Sequence, residues 1–134
     1  MEYATDIMEP NKHISRDNLL YTYDALYPMT FSFGLSARNV DDYMGLVFDT
    51  SFISNYTQLK TAIDNHHPVI GHTNGITIFP YTPIDHMVLI VGYSRINFYE
   101  LICLDPGTGK YRTLLFSDFN GNLHELNQIN PNFR

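Results

Sequence analysis

His86 and Asp105 are the residues of this chain whose types and setting could do chemistry together. An imidazole held by a carboxylate can take up and return a proton near neutral pH. Each lies at the end of an apolar run. The first run reads Asp85-His86-Met87-Val88-Leu89-Ile90-Val91-Gly92-Tyr93, and the second reads Phe98-Tyr99-Glu100-Leu101-Ile102-Cys103-Leu104-Asp105-Pro106, with a polar break over Ser94 to Asn97. Two β-branched runs around a short polar break predict an antiparallel hairpin. With the loop centred on Arg95 and Ile96, opposed residue numbers sum to 191 and His86 falls directly opposite Asp105. Opposed Cβ atoms lie about 4.5 to 5.5 Å apart on one face, close enough for a carboxylate to hold an imidazole. A slip of one residue would send the two to opposite faces, so the dyad depends on the loop.

Other reactive groups are less well set. Cys103 falls on the same face in this register, opposite Val88 and diagonal to His86, roughly 7 to 8 Å away and beyond hydrogen-bond reach. A cysteine inside an apolar strand is expected to be a small buried hydrophobe rather than a thiolate. Ser94, Ser117 and Thr73 have no motif context for a hydroxyl nucleophile. His66, His67, His72 and His86 lack a cysteine pair or a His-x-x-x-His helix, so no metal is expected. Gly107-Thr108-Gly109-Lys110 ends like a phosphate loop, but Leu104 and Tyr111 occupy positions that need Gly and Ser or Thr, so it is a turn and no cofactor is expected. The His86–Asp105 pair itself has a plain alternative, a cross-strand polar contact that contributes about 0.2 to 1 kcal/mol and has no catalytic purpose.

The elements that must position these residues follow from pattern. Residues 1–12 lack periodicity and carry Pro10, so they are expected to form an irregular arm. Ser15 to Leu26 reads as a helix capped by Ser15, with Leu19, Leu20, Tyr23 and Leu26 on one face, and Pro28 ends it. Met29 to Leu35 reads as loop or short strand. Asn39 to Phe48 reads as a second helix with Asp41 and Asp42 in its first turn. A third is expected over Asn55 to Asn65, where Asn55 and Gln58 have the spacing of a capping box. That cap explains Asn55 better than the sequon Asn55-Tyr56-Thr57 does. Pro68 to Thr73 reads as a strand, Asn74-Gly75 as a turn, Ile76 to Phe79 as an apolar run and Pro80 to Pro83 as a loop. Tyr111 to Phe116 follows as a strand, then a helical turn capped by Ser117 around Phe119, and a polar tail over 127–134. Helices in the N-terminal half and strands in the C-terminal half predict an α+β fold, with helices packed on an antiparallel sheet.

The chain has 134 residues, enough for one domain over 1–134 with a real core, and 44% hydrophobic content argues against disorder. A formal charge of −6 leaves no basic footprint for nucleic acid or an anionic membrane. One cysteine excludes an intrachain disulfide, and no stretch has the length of a membrane span or the layout of a signal peptide. The compartment stays open.

The succession Asn65-His66-His67-Pro68-Val69-Ile70, then His86 to Tyr93, then Leu104-Asp105-Pro106-Gly107 resembles the C39-like family of papain-like cysteine peptidases. The resemblance covers roughly residues 55 to 120, and its weight lies in order and spacing rather than in any one motif. It implies a papain-like fold with His86 as general base and Asp105 as the acid that orients it. Phe119 resembles the family's aromatic after the last strand. The resemblance also implies a cysteine nucleophile at the start of an upstream helix, often after a Gln, yet no cysteine precedes Cys103. Asp85 stands where the family usually has a small residue, and alternation turns it to the opposite face from His86.

Two functions are therefore expected. One is a degenerate or incomplete cysteine peptidase domain, inactive alone, that binds peptides or acts on them with a thiolate from elsewhere. The other is a non-catalytic module of papain-like fold that binds a peptide or protein. An upstream Gln and Cys would favour the first, and a true start at Met1 the second. A dyad that serves only as structural glue is a third reading. Without the nucleophile helix, the sheet face carrying Val88, Ile90, Leu101 and Cys103 is expected to need cover. A homodimer or partner segment is the expected source, with Leu19, Leu20 and Tyr23 near the contact.

Overall fold

Asn55 sets where a helix begins. Its backbone is extended, its Oδ1 accepts the Gln58 N–H at 2.9 Å, and Gln58 Oε1 in turn accepts the Ser54 N–H at 2.8 Å. This is the expected capping box, with the return bond taken one residue early. The helix closes at Asn65, and His66 follows at φ 61°, the left-handed conformation that commonly ends helices.

The computed structural model describes residues 1–11, 14, 19, 43–74, 85–105, 109–119, 122–131 and 133. In chain order its elements are α1 (Glu2–Met8), helical residues 43–47, β1 (Phe48–Phe52), α2 (Tyr56–Asp64), β2 (Val69–Asn74), β3 (Asp85–Tyr93), β4 (Glu100–Asp105), β5 (Lys110–Leu115), a 3-10 turn (Phe116–Phe119) and β6 (Leu123–Ile129). The strands form one sheet in the order β1-β6-β2-β3-β4-β5, and β6–β2, β2–β3, β3–β4 and β4–β5 pair antiparallel. The fold is α+β.

Two compact units divide the chain, one of Met1–Asp49 with Asn127–Arg134 and one of Thr50–Leu126. In the first unit, Ala4, Thr5, Leu19, Tyr43, Met44, Val47, Phe48 and Ile129 are buried, and the Tyr43 hydroxyl donates to the Leu19 carbonyl at 2.9 Å. In the second, Leu59 and Ala62 of α2 bury one sheet face together with Val69, Val88, Ile90, Leu101, Cys103, Leu114 and Phe119. That face is fully covered by the chain itself, so the expected need for a second copy or partner segment over Val88, Ile90, Leu101 and Cys103 falls away. Leu19 is buried, whereas Leu20 and Tyr23 lie outside the described residues.

Three further expectations are corrected. Residues 1–12 are not an irregular arm, because Glu2–Met8 is helical and turns Ala4 and Thr5 inward before Pro10. The polar tail over 127–134 begins inside a strand. In β6 the buried residues Leu123, Leu126 and Ile129 recur every third position with polar residues between, which hides the two-residue period of a strand. The helix expected to reach Phe48 stops at residue 47, where β1 begins. The helix at Ser15 to Leu26 (Leu19 apart), the Met29 to Leu35 stretch, residues 39–42 and the segment from Gly75 to Pro83 fall outside the described residues.

Candidate functional site

The site is built on β3 and β4, and their register decides it. Beside the loop, Tyr93 pairs with Leu101 and Gly92 with Ile102; beyond a bulge at Val91, Ile90 pairs with Cys103 and Leu89 with Leu104. Paired numbers thus sum to 194 near the loop and 193 past the bulge, not the expected 191. The loop is centred further along because Ser94 organises a wider turn. Its Oγ accepts the N–H of Ile96 at 3.2 Å and of Asn97 at 2.9 Å, and its own N–H donates to the Glu100 carbonyl at 2.9 Å.

The bulge matters more than the loop. Carried on without it, the register beside the loop would set Asp105 in line with Leu89, on the face opposite to the His86 position. The extra residue at Val91 moves Asp105 into line with Val88, two residues from His86 and of the same parity. His86 and Asp105 therefore hold diagonal rather than directly opposed backbone positions. Diagonal positions lie about 7 to 8 Å apart, farther than the roughly 4.5 to 5.5 Å of directly opposed ones. Cys103 shifts along with Asp105. It pairs with Ile90, four residues along β3 from His86, an offset of roughly 13 Å at the rise of an extended strand.

Asp105 ends β4, is wholly buried and is joined by Arg112 of β5, whose Nη1 donates to Asp105 Oδ2 at 3.4 Å. Burying a carboxylate is costly unless it is paired, and Arg112 supplies the pairing charge. The cross-strand partner of Arg112 is Cys103, so guanidinium, thiol and carboxylate share one face. Arg112 Nε is buried with no hydrogen-bond partner. The Asp105 carbonyl accepts the Gly109 N–H at 2.8 Å, and Gly109 adopts φ 68°, which closes the turn into β5.

Cys103 behaves as expected of a buried hydrophobe. Desolvation pushes its thiol up to about 12, with Asp118 and Asp105 adding to the rise and Arg112 opposing it. At neutral pH it is a thiol, not a thiolate.

The 3-10 turn closes this end of the sheet. Its side-chain acceptor is Asp118 rather than the expected Ser117: Asp118 Oδ2 accepts the Leu115 N–H at 2.8 Å, and the Asp118 carbonyl accepts the buried Thr73 hydroxyl at 2.9 Å. Thr73 is the β2 partner of His86. Phe119 is fully buried over Gly71, and a Cβ there would lie 2.6 Å from the ring. Gly71 is thus the residue that lets the aromatic lie flat on the sheet.

The other histidines among the described residues lie elsewhere on the fold. His66 ends α2, and His67 Nδ1 lies 3.0 Å from Glu125 Oε1. The rings of His72 and His124 meet edge to face at 6.1 Å. Among the described residues, no three His, Cys, Asp or Glu side chains converge as metal ligands.

The chain as a whole is similar to a known family. A model described as the Peptidase_C39 like family matches residues 2–129. The chain belongs to this family. No curated protein and no solved structure matches it. The match extends the resemblance, drawn on residues 55 to 120, across both compact units. Arg112 is the site residue that spacing alone missed. The signal was present in β5, because a cation in an otherwise strand-like Tyr111 to Phe116 run, directly across from Cys103, is a neighbour for the carboxylate at Asp105.

Proposed function

We propose that this member of the C39-like family is one papain-like domain that has kept the proton-handling half of the peptidase site, His86 with Asp105, and lost the thiolate half. In this reading His86 is the base, Asp105 orients it, and Arg112 holds Asp105 in place by pairing with Oδ2. Peptide is bound at this end of the sheet and is not cleaved by the chain alone. The observation that carries the reading is Cys103: the single thiol of the sequence is wholly buried, protonated at neutral pH and four strand positions from His86. The bulge at Val91 supports the other half, since it keeps the His86 and Asp105 positions on one face. A family match that runs through both units supports a single domain. Hydrolysis of a peptide bond would need a nucleophile that attacks the carbonyl carbon while the imidazole takes its proton, and Cys103 meets neither condition.

The test uses an unstructured peptide mixture. Incubated with the native chain, the mixture should remain intact by mass spectrometry, while NMR titration should shift the His86 ring resonances, and His86→Gln should weaken binding several-fold without unfolding the chain. Cleavage that is abolished by His86→Gln and by alkylation would overturn the loss of activity. Binding unaffected by His86→Gln would remove the dyad from the site.

A further inference from the structure

The far end of the same hairpin carries a feature that the peptidase reading does not use. Ile96 and Phe98 at its tip are 90% and 83% exposed. The turn holds them out rather than letting them collapse, through the two bonds to Ser94 Oγ, the Ser94–Glu100 closure and Tyr99 at φ 63°, a conformation that bulky residues rarely adopt. Tyr99, itself exposed, lies 4.7 Å from the Tyr56 ring, and Tyr56 meets Phe116 at 5.6 Å. The apolar tip therefore stands beside an aromatic cluster.

Behind the tip is a cleft of about 440 Å³, lined by Tyr56, Lys60, Asp64, Tyr93, Arg95 and Phe98. Its carboxylate is already engaged, since Asp64 Oδ1 accepts the Tyr93 hydroxyl at 2.8 Å. Lys60 Nζ lies 5.0 Å from the Tyr56 ring centroid, and Arg95 borders the same space. Two cations thus stand directly behind two protruding apolar side chains.

We propose that this tip docks on a phospholipid bilayer, with Ile96 and Phe98 entering the acyl region and Lys60 and Arg95 taking headgroup phosphates in the cleft. Charge complementarity selects phosphate, and shape selects a bilayer. Two large apolar side chains held out together on one turn suit a medium that deforms around them. Tyr56 and Tyr99, apolar in body with a polar hydroxyl, suit the headgroup depth just behind the tip. The formal charge of −6 opposes long-range attraction to an anionic surface, so the contact is short-range.

Co-sedimentation of the full chain tests this, with vesicles of phosphatidylcholine alone and of phosphatidylcholine mixed with phosphatidylserine. The native chain should bind both, with no gain from the anionic lipid. The double variant I96S/F98S should lose about tenfold in binding, and K60Q/R95Q should lose several-fold, with circular dichroism and thermal unfolding unchanged. A native chain that stays in the supernatant with both vesicles overturns the proposal, as does I96S/F98S binding like the native chain. Unaltered binding by K60Q/R95Q would overturn the phosphate contact. A concentration-dependent mass in light scattering that I96S/F98S abolishes, without vesicle binding, would assign the tip to contact between copies and overturn the bilayer.

Discussion

The β3–β4 hairpin has two ends of opposite character. At the Asp105 end charge is buried: a carboxylate with no exposed surface is paired to Arg112, next to a protonated thiol. At the loop end apolar surface is exposed, with Ile96 and Phe98 in water and the ionisable groups Lys60 and Arg95 beside them. Hydropathy alone assigns the reverse, polar loop outside and apolar strand inside. The contrast teaches that each end departs from that rule in its own way, one burying a paired carboxylate, the other holding apolar side chains out in solvent.

The contrast is sharpened by substitutions at each end. The largest effect is expected from Phe119→Ala, which empties a fully buried site and should cost about 3 to 5 kcal/mol in urea unfolding. A cost under about 1 kcal/mol would mean that the buried end is loosely packed. Gly71→Ala comes next at about 1 to 3 kcal/mol, because its Cβ would press on the Phe119 ring. Combined with Phe119→Leu, the two costs should add to less than their sum, since the smaller side chain relieves the clash.

A third effect comes from pH. The Cys103 thiol is raised from an ordinary value of 9.0 to about 12 in the folded chain, so between these pH values the unfolded chain releases a proton that the folded chain keeps. Stability from this source is complete below pH 9 and is lost as pH rises towards about 12. Tyr93 titrates nearby, its hydroxyl held up first by the bond to Asp64, so the comparison of native chain with Cys103→Ala isolates the thiol. Alkaline unfolding with the same slope in both would contradict the buried thiol. The smallest effect belongs to the loop end, where Phe98→Ala should change stability by no more than about 0.5 kcal/mol. A larger loss would show that the tip packs against its own chain.

Much of this arrangement was legible in the residues and part of it was not. β3 begins and ends where its apolar run does, at Asp85 and Tyr93, and the Asn55–Gln58 cap starts α2 as spacing predicts, because both are local signals. The register was not legible, since it depends on the Ser94 turn and on the bulge at Val91, which no propensity marks. β1 and β6 were missed because neither alternates with the two-residue period of a strand: Phe52 of β1 is exposed, and the buried residues of β6 recur every third position. Arg112 was legible only as a strand residue, and its role needed the pairing with Cys103.

The central claim, that the only thiol of this sequence is not a nucleophile, is tested most directly by alkylating the native chain and following Cys103 by mass spectrometry. Labelling should be slow at neutral pH and should keep pace with the opening of the fold measured by hydrogen exchange, because the reagent reaches Cys103 only when the sheet face is uncovered. Rapid labelling of the folded chain at pH 7, accompanied by loss of peptide hydrolysis, would contradict the account and make Cys103 the nucleophile.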